Sequence, residues 1–433
     1  KNLYVICAIF FFSFASYMSL RNLQSSLNDA GGLGMLSLSC IYAFLFIGSI
    51  FTTTIVQRLR PKFSMLASLL GLLLYNISNF YPSYATLIPG ACIAGFSLAT
   101  IWTAQATYMA NNASSYAQLT NQRFQDVLSN FHGIFFGFFQ VSQMVGGVIS
   151  SIIFSLNKPE SKSNADDDGG LLNGMYNCPG KGASSFQVQF DPAMYYMMVA
   201  VFLSSMICSI LILLFCLDPL EGALRNPRAG ISIQLFSVFK MLTNPHILCI
   251  LPLMSYTLLQ TTFIFGEFNK AFVTCVLGIH MIGYLTVCLS LFSSIFAFAT
   301  GLLQKYVGPE AIIVTGLLMH QVILVMMWVW VPSKQMPVIF FIIVAVWGAG
   351  DGMVVTQIIS LLGTLFMNRK EAAFSTYKMA QSASAFLMFI TGPYICTRVK
   401  VIITLTMNIL AVLGYTTLRI RLRLKLEKDK KSD

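Results

Sequence analysis

The stretch MYYMMVAVFLSSMICSILILLFCL, from Met194 to Leu217, runs without a charge and stops at DPLEGALRNPRAGISIQLFSVFKMLTNP, from Asp218 to Pro245. A helix needs about 20 apolar residues to cross the hydrocarbon of a bilayer, so the first piece reads as a transmembrane helix. The second is polar, basic and broken by proline and glycine, which reads as a linker outside the membrane. Working outward from this boundary, five more apolar runs precede it and six follow. The twelve cover about 3–22, 36–56, 63–81, 85–109, 131–156, 194–217, 246–266, 278–300, 311–331, 338–360, 373–396 and 401–418. No small-residue cleavage pattern follows the first run, so it is expected to remain as a span.

Composition agrees. Of 433 residues 56% are apolar and 10% charged, where about 25% charged is usual for soluble domains. That balance excludes a disordered chain, a collagen and a disulfide-built secreted module. Sliding the chain by 244 or 245 residues sets Leu33-Gly34 on Leu277-Gly278, Trp102 on Trp347 and Ala104 on Ala349. Weak parallel similarity between two six-span halves is the sign of the major-facilitator architecture. The expected fold is therefore all-α and integral to the membrane: twelve transmembrane helices in two pseudo-symmetric six-helix halves. The expected units are 1–217 for the first half, 218–245 for a cytoplasmic linker, 246–418 for the second half and 419–433 for a basic tail.

The net charge of +11 does not point to nucleic acid once it is located, because seven of the 27 Lys and Arg fall in the last fifteen residues. That tail follows an apolar run directly and reads as a cytoplasmic anchor against anionic lipid. With both termini inside, eighteen Lys and Arg lie on the cytoplasmic side and eight outside, which supports that orientation. The ending Lys430-Lys431 fits a retrieval signal for the endoplasmic reticulum, or is simply the end of a basic tail.

Ionisable residues in spans cost about 2.5–3.5 kcal/mol each at a helix centre on insertion scales, so the few present are informative. Asp351 and Lys378 both fall in the inner halves of their spans and are expected to pair near the cytoplasmic side. Arg21 closes the first span, while Glu267 and Lys270 close the seventh at an i, i+3 spacing. Arg21 and Glu267 are expected to form an external latch. Both pairs can equally serve helix packing alone. Amides and hydroxyls recur on the same helices: Gln24 and Ser25; Trp102, Gln105 and Tyr108; Gln140 and Gln143; Gln260; Gln357; Tyr377 and Gln381. Such groups must face protein or water. They outline a central polar seam that either bonds helices together or binds a small-molecule solute. Continuous apolar filling between helices one, four, seven and ten would exclude solute transport.

Nothing points to enzyme chemistry. Gly348-Ala349-Gly350-Asp351-Gly352 has no preceding strand and no following Lys-Ser or Lys-Thr, so close helix packing explains it better than phosphate binding. The four His lie far apart without metal-ligand spacing, and no cofactor is expected. Cys178 and Cys275 are the two cysteines placed outside, where a disulfide between them is open.

Several ordered motifs resemble the Unc-ninety-three family of the major facilitator superfamily, in particular its homologue A branch. They are Leu23-Gln24-Ser25-Ser26-Leu27, Trp102-Thr103-Ala104-Gln105-Ala106-Thr107-Tyr108, Gly133-Ile134-Phe135-Phe136, the run from Glu267 to Cys275, Leu277-Gly278-Ile279, Trp347-Gly348-Ala349-Gly350-Asp351 and Lys370-Glu371-Ala372-Ala373-Phe374. The resemblance implies a non-enzymatic regulator of a two-pore-domain potassium channel, placed at the plasma membrane with a membrane-protein partner. A secondary transporter of a small organic solute or ion and a trafficking escort in the endoplasmic reticulum are the alternatives. One departure bears on the choice. Typical facilitators carry Gly-x-Leu-x-Asp-Arg-x-Gly-Arg between spans two and three. Here Gln57 stands at the acidic position and Arg60 at the glycine, and the second-half loop keeps Gly301, Leu303 and Gly308 but has Lys305 for the acid.

Overall fold

The computed structural model describes residues 1–28, 32–122, 124–156, 174–176, 192–219, 240–366, 370–392 and 394–432. Twelve long helices account for nearly all of them: α1 (Asn2–Leu27), α2 (Leu33–Leu59), α3 (Pro61–Ser78), α4 (Tyr84–Thr120), α5 (Phe124–Leu156), α6 (Pro192–Cys216), α7 (Pro245–Thr262, continued as a π-helix over Phe263–Thr274), α8 (Met281–Val307), α9 (Pro309–Val329), α10 (Pro337–Leu365), α11 (Lys370–Ile390) and α12 (Thr397–Ser432). Ten are long and apolar enough to cross a membrane. The other two, α3 and α11, start on charged pairs or a Pro-Lys step, yet α3 packs on α4 and α6 and α11 on α2 and α7. The fold is thus the expected twelve-helix one.

Local chemistry sets the helix starts. Proline, whose missing N–H costs nothing in a first turn, opens α3, α7, α9 and α10. Ser83 and Thr86 form a reciprocal capping box on α4, and Asn244 accepts from the His246 amide at 2.9 Å at the start of α7. Three helices outrun the apolar spans. The polar run after Met109 continues α4 to Thr120, α7 continues through Glu267 and Lys270 to Thr274, and α12 begins at Thr397 rather than near residue 401. Hydropathy marks the apolar zone; hydrogen bonds along the backbone carry the helix past it.

Equivalent helix pairs in the two halves approach closely over glycine. A Cβ at Gly95 of α4 would strike the Ile41 carbonyl of α2, and a Cβ at Gly348 or Gly352 of α10 would strike the Leu289 or Ser293 carbonyl of α8. The glycine-rich run at 348–352 is therefore a packing surface. The loops after α2 and α8 show the same symmetry. Arg60 has φ 66° and ψ 151° before Pro61, and Gly308 has φ 82° and ψ 151° before Pro309. That backbone region is nearly restricted to glycine, so the first half keeps the shape with a strained arginine. The Gln57 and Lys305 side chains lie outside the described residues.

Apolar packing divides into three cores. One fills the first half and takes in Ala385 and Phe389 of α11. A second lies inside the other half at the end near the linker. The third, at the end bearing Arg21, contains Leu20 and Leu23 of α1 together with Phe263, Phe265, Phe268 and Phe272 of α7. The two halves therefore share a core at the Arg21 end and have separate cores at the linker end. Between them run α2 against α11 and α5 against α8. The Tyr42 and Phe389 rings stack at 5.5 Å, Gln140 Nε2 donates to Ser293 Oγ at 3.2 Å and Ser151 Oγ to the His280 carbonyl at 2.8 Å.

Candidate functional site: two unlike walls between the halves

The polar seam expected from the sequence exists, but it belongs mainly to the second half. Gln260 of α7 is its hub. Its Oε1 accepts from the Trp347 indole N–H and its Nε2 donates to Asp351 Oδ1, so the indole fixes which way the amide faces. Ser293 of α8 donates to Asp351 Oδ2 at 3.3 Å, and Gln140 of α5 donates to that hydroxyl while accepting from Gln143 at 2.8 Å. Behind Trp347, the fully buried His320 places Nε2 2.9 Å from the Trp347 carbonyl and Nδ1 3.1 Å from the Tyr256 hydroxyl. A carbonyl only accepts, so in the neutral ring Nε2 carries the hydrogen.

One turn before Gln260, Thr257 starts a second chain. Its Oγ1 lies 3.2 Å from the Tyr377 hydroxyl and accepts from Gln381 Nε2 at 2.9 Å. Gln381 Oε1 in turn accepts from Lys378 Nζ at 3.1 Å. The ammonium also sits 5.5 Å from the ring centres of both Tyr377 and Trp102. Since Trp102 is on α4, this contact joins the two halves. Behind it the first half is aromatic: the Trp102 ring meets Phe10 at 5.5 Å, Phe14 at 5.3 Å, Phe135 at 6.2 Å and Phe139 at 5.2 Å. Helices one and four are filled with apolar rings while seven and ten are joined by polar groups, so the filling is not continuous.

Both expected charge pairs are corrected. Asp351 and Lys378 form no ion pair among the described residues: the first is held by Gln260 and Ser293, the second by Gln381 and two rings. Glu267 pairs with Lys400 of α12 at 2.6 Å, both side chains no more than 5% exposed, and Lys400 also donates to the Gly392 carbonyl at 2.8 Å. Arg21 instead donates to Asn22 Oδ1 at 3.0 Å, approaches the Tyr42 hydroxyl at 3.4 Å and lies 4.9 Å over the Phe265 ring. At this end the guanidinium of α1 therefore meets an aromatic ring of α7 and not the expected carboxylate. Both Glu267 and Lys270 lie on the π-helix, whose i→i+5 bonding widens each turn and changes which positions share a face from what the i, i+3 spacing of an α-helix implies. The Thr274 hydroxyl and Cys275 thiol both donate five residues back, at 2.8 and 3.2 Å.

Other expected residues have local duties. Gln24 is fully buried and donates to Asn79 at 2.5 Å, clamping α1 to the end of α3. Tyr108 donates to the Asp218 carbonyl at 2.7 Å, fastening α4 to the end of α6 instead of facing the other half. Gln105 is buried three residues after Trp102 on α4, and its Nε2 has no hydrogen-bond partner among the described residues. Lys270 is half-buried on the π-helix. A disulfide between Cys178 and Cys275 is corrected as well: Cys275 retains its thiol, whereas Cys396 is disulfide-bonded, and Cys178 lies outside the described residues. The backbone of α12 includes Lys430 and Lys431, whose side chains also lie outside them. The sequence reading missed Lys400, counted as a loop charge, although its place between Val399 and Val401 at the head of an apolar run marks it as helical. Thr257, Ser293, His320 and Tyr256 carried no signal beyond being polar within spans.

Comparison with known proteins sets this geometry in context. The family model described as "Ion channel regulatory protein UNC-93" matches residues 30–417. "Protein unc-93 homolog A" of Xenopus laevis is 31% identical over 96% of this chain and 92% of its own length. The "Putative potassium channel regulatory protein unc-93" of Caenorhabditis elegans is 27% identical over 96% of this chain and 60% of its own. Among solved structures, a mutant of the nucleoside transporter NupG superposes with a TM-score of 0.64 at 11% identity, covering 96% of this chain and all of that one, which shows a shared fold. A family match across nearly all twelve helices, on a major-facilitator fold, establishes that the chain belongs to the UNC-93 family.

Proposed function

We propose that the protein is a non-enzymatic regulator of a potassium channel, acting through contacts between its helices and the channel within the bilayer. The match to the ion channel regulatory family over residues 30–417 carries this reading. Its place is the plasma membrane with both termini in the cytoplasm, supported by the eighteen-to-eight distribution of Lys and Arg. Co-expression with a two-pore-domain potassium channel should change the current at matched surface levels. Unchanged currents with both proteins at the surface would refute it.

A second reading, secondary transport of a small solute, is favoured by one observation. Among the described residues the halves have separate cores at the linker end, and the half-buried Trp102 and Lys378 face each other between the halves. Transporters of this fold bind solutes near the bilayer midplane at the interface of their halves.

A further inference from the structure

The gap between α4 and α11 is unbalanced in charge and in hydrogen bonding. Lys378 carries a positive charge between the halves, and its hydrogen-bond acceptor is a neutral amide oxygen, Gln381 Oε1. No carboxylate pairs with it among the described residues, because Asp351 is committed to Gln260 and Ser293. The Trp102 ring centre lies 5.5 Å from the Lys378 ammonium, and the indole N–H makes no hydrogen bond among the described residues. One turn along the same face of α4, Gln105 is 3% exposed and its Nε2 is likewise without a partner. The Lys378 ammonium thus lacks a counter-charge, and a buried amide N–H one turn from Trp102 lacks an acceptor among the described residues. A partly buried charge without a counter-charge favours binding one, and a carboxylate can accept from several donors at once.

The remaining wall is apolar. It is the half-buried Trp102 ring, backed by the buried Phe10, Phe14, Phe135 and Phe139 edge-on and tilted at 5.2–6.2 Å, and a fixed indole surface suits the flat body of a ring that stacks or meets edges. Because Lys378 and Trp102 are only half-buried and the halves have separate cores at the linker end, the site is reached from that end. We propose that this gap binds a small organic acid with an aromatic body, its carboxylate on Lys378 and its ring against Trp102. The site goes beyond channel regulation and does not require it: such an acid is either a transported solute or a signal that sets which shape the regulator presents.

Equilibrium binding of radiolabelled phenylacetate to the full chain in lipid nanodiscs tests this, with phenylacetamide, phenethylamine and acetate as competitors. Phenylacetate should bind saturably and the three competitors weakly, since each lacks the charge, the sign or the ring. Lys378→Gln should weaken binding about tenfold or more, the effect of losing one hydrogen bond to a charged group, whereas Lys378→Arg should retain it. Trp102→Leu should erase the preference for phenylacetate over acetate. Thermal unfolding of each variant, matched to the parent, establishes that it is folded. Absence of saturable binding to the parent, equal competition by phenylacetamide, or a folded Lys378→Gln variant that binds as the parent does would overturn the proposal. Potassium currents are read separately, so failure of binding and failure of channel regulation are distinguishable.

Discussion

Replacing Glu267 by Gln should be among the most damaging conservative changes in the chain. The side chains of Glu267 and Lys400 are 5% and 3% exposed and lie 2.6 Å apart. After the change, the Lys400 ammonium keeps the Gly392 carbonyl at 2.8 Å but loses its counter-charge. Removing one partner of a buried pair costs about 3–5 kcal/mol, while replacing both by uncharged groups of similar volume is often nearly neutral. Glu267→Gln and Lys400→Met should therefore each cost several kcal/mol, and the double variant should recover most of the loss. The measurement is denaturant unfolding in mixed micelles, followed by the fluorescence of the four tryptophans. The same cycle run with Arg21→Gln separates the observed pair from the latch that the sequence suggests. Arg21 is satisfied by Asn22, Tyr42 and the Phe265 face, so its coupling to Glu267 should be the smaller of the two. A larger coupling to Arg21 than to Lys400 would refute the assignment, as would a Glu267→Gln variant within about 0.5 kcal/mol of the parent, the range of ordinary surface changes.

Two further changes have expected outcomes in the same assay. Asp351→Asn keeps an oxygen for Gln260 and supplies a donor for Ser293, so it should cost little, whereas Asp351→Leu strands both partners at about 1–3 kcal/mol each; equal losses would show that charge, not hydrogen bonding, matters there. Arg60→Gly should stabilise the protein by about 0.5–2 kcal/mol, the relief of about 1–3 kcal/mol of backbone strain less the cost of a freer unfolded chain, while Gly308→Ala should destabilise it; a destabilising Arg60→Gly would contradict the loop geometry.

The fold was legible because its signals are collective. Each apolar run, the position of the polar linker and the faint repeat between Trp102 and Trp347 all restate one requirement, that backbone polar groups in lipid be bonded within helices. Pairings were not legible, because a charge at a span end has many neighbours within reach and sequence distance does not rank them. Arg21 and Glu267 do arrive at the same end, as helix order implies, yet the π-helix turns Glu267 toward α12 and leaves Phe265 under the guanidinium. Lys400 was hidden by the same habit of reading charges as loop residues. Asp351 and Lys378 illustrate the converse: they were expected to pair, but each is held by an amide, Gln260 and Gln381. An amide offers a donor and an acceptor together, so it satisfies either charge and removes the need for them to meet.

The asymmetry between the two ends bears on which functional reading holds. Opening the Arg21 end would expose Leu20, Leu23, Phe263, Phe265 and Phe268, all buried in a core that spans both halves. Each fully buried side chain of this kind is worth about 1.5–3 kcal/mol against water, so that end is held shut by several such contributions. At the linker end the cores are separate, and the acids that typical facilitators use to latch that side are replaced by Gln57 and Lys305. A transporter must hold each side closed in turn, which calls for comparable latches at both ends. A chain with a strong seal at one end and neither of those acids at the other does not close the linker end by that latch, so the shape open at the linker end is the one it would present to a channel. A carboxylate ligand held between Lys378 of α11 and Trp102 of α4 would supply a tie between the halves at the linker end, so the ligand and not a protein acid would decide whether that side closes.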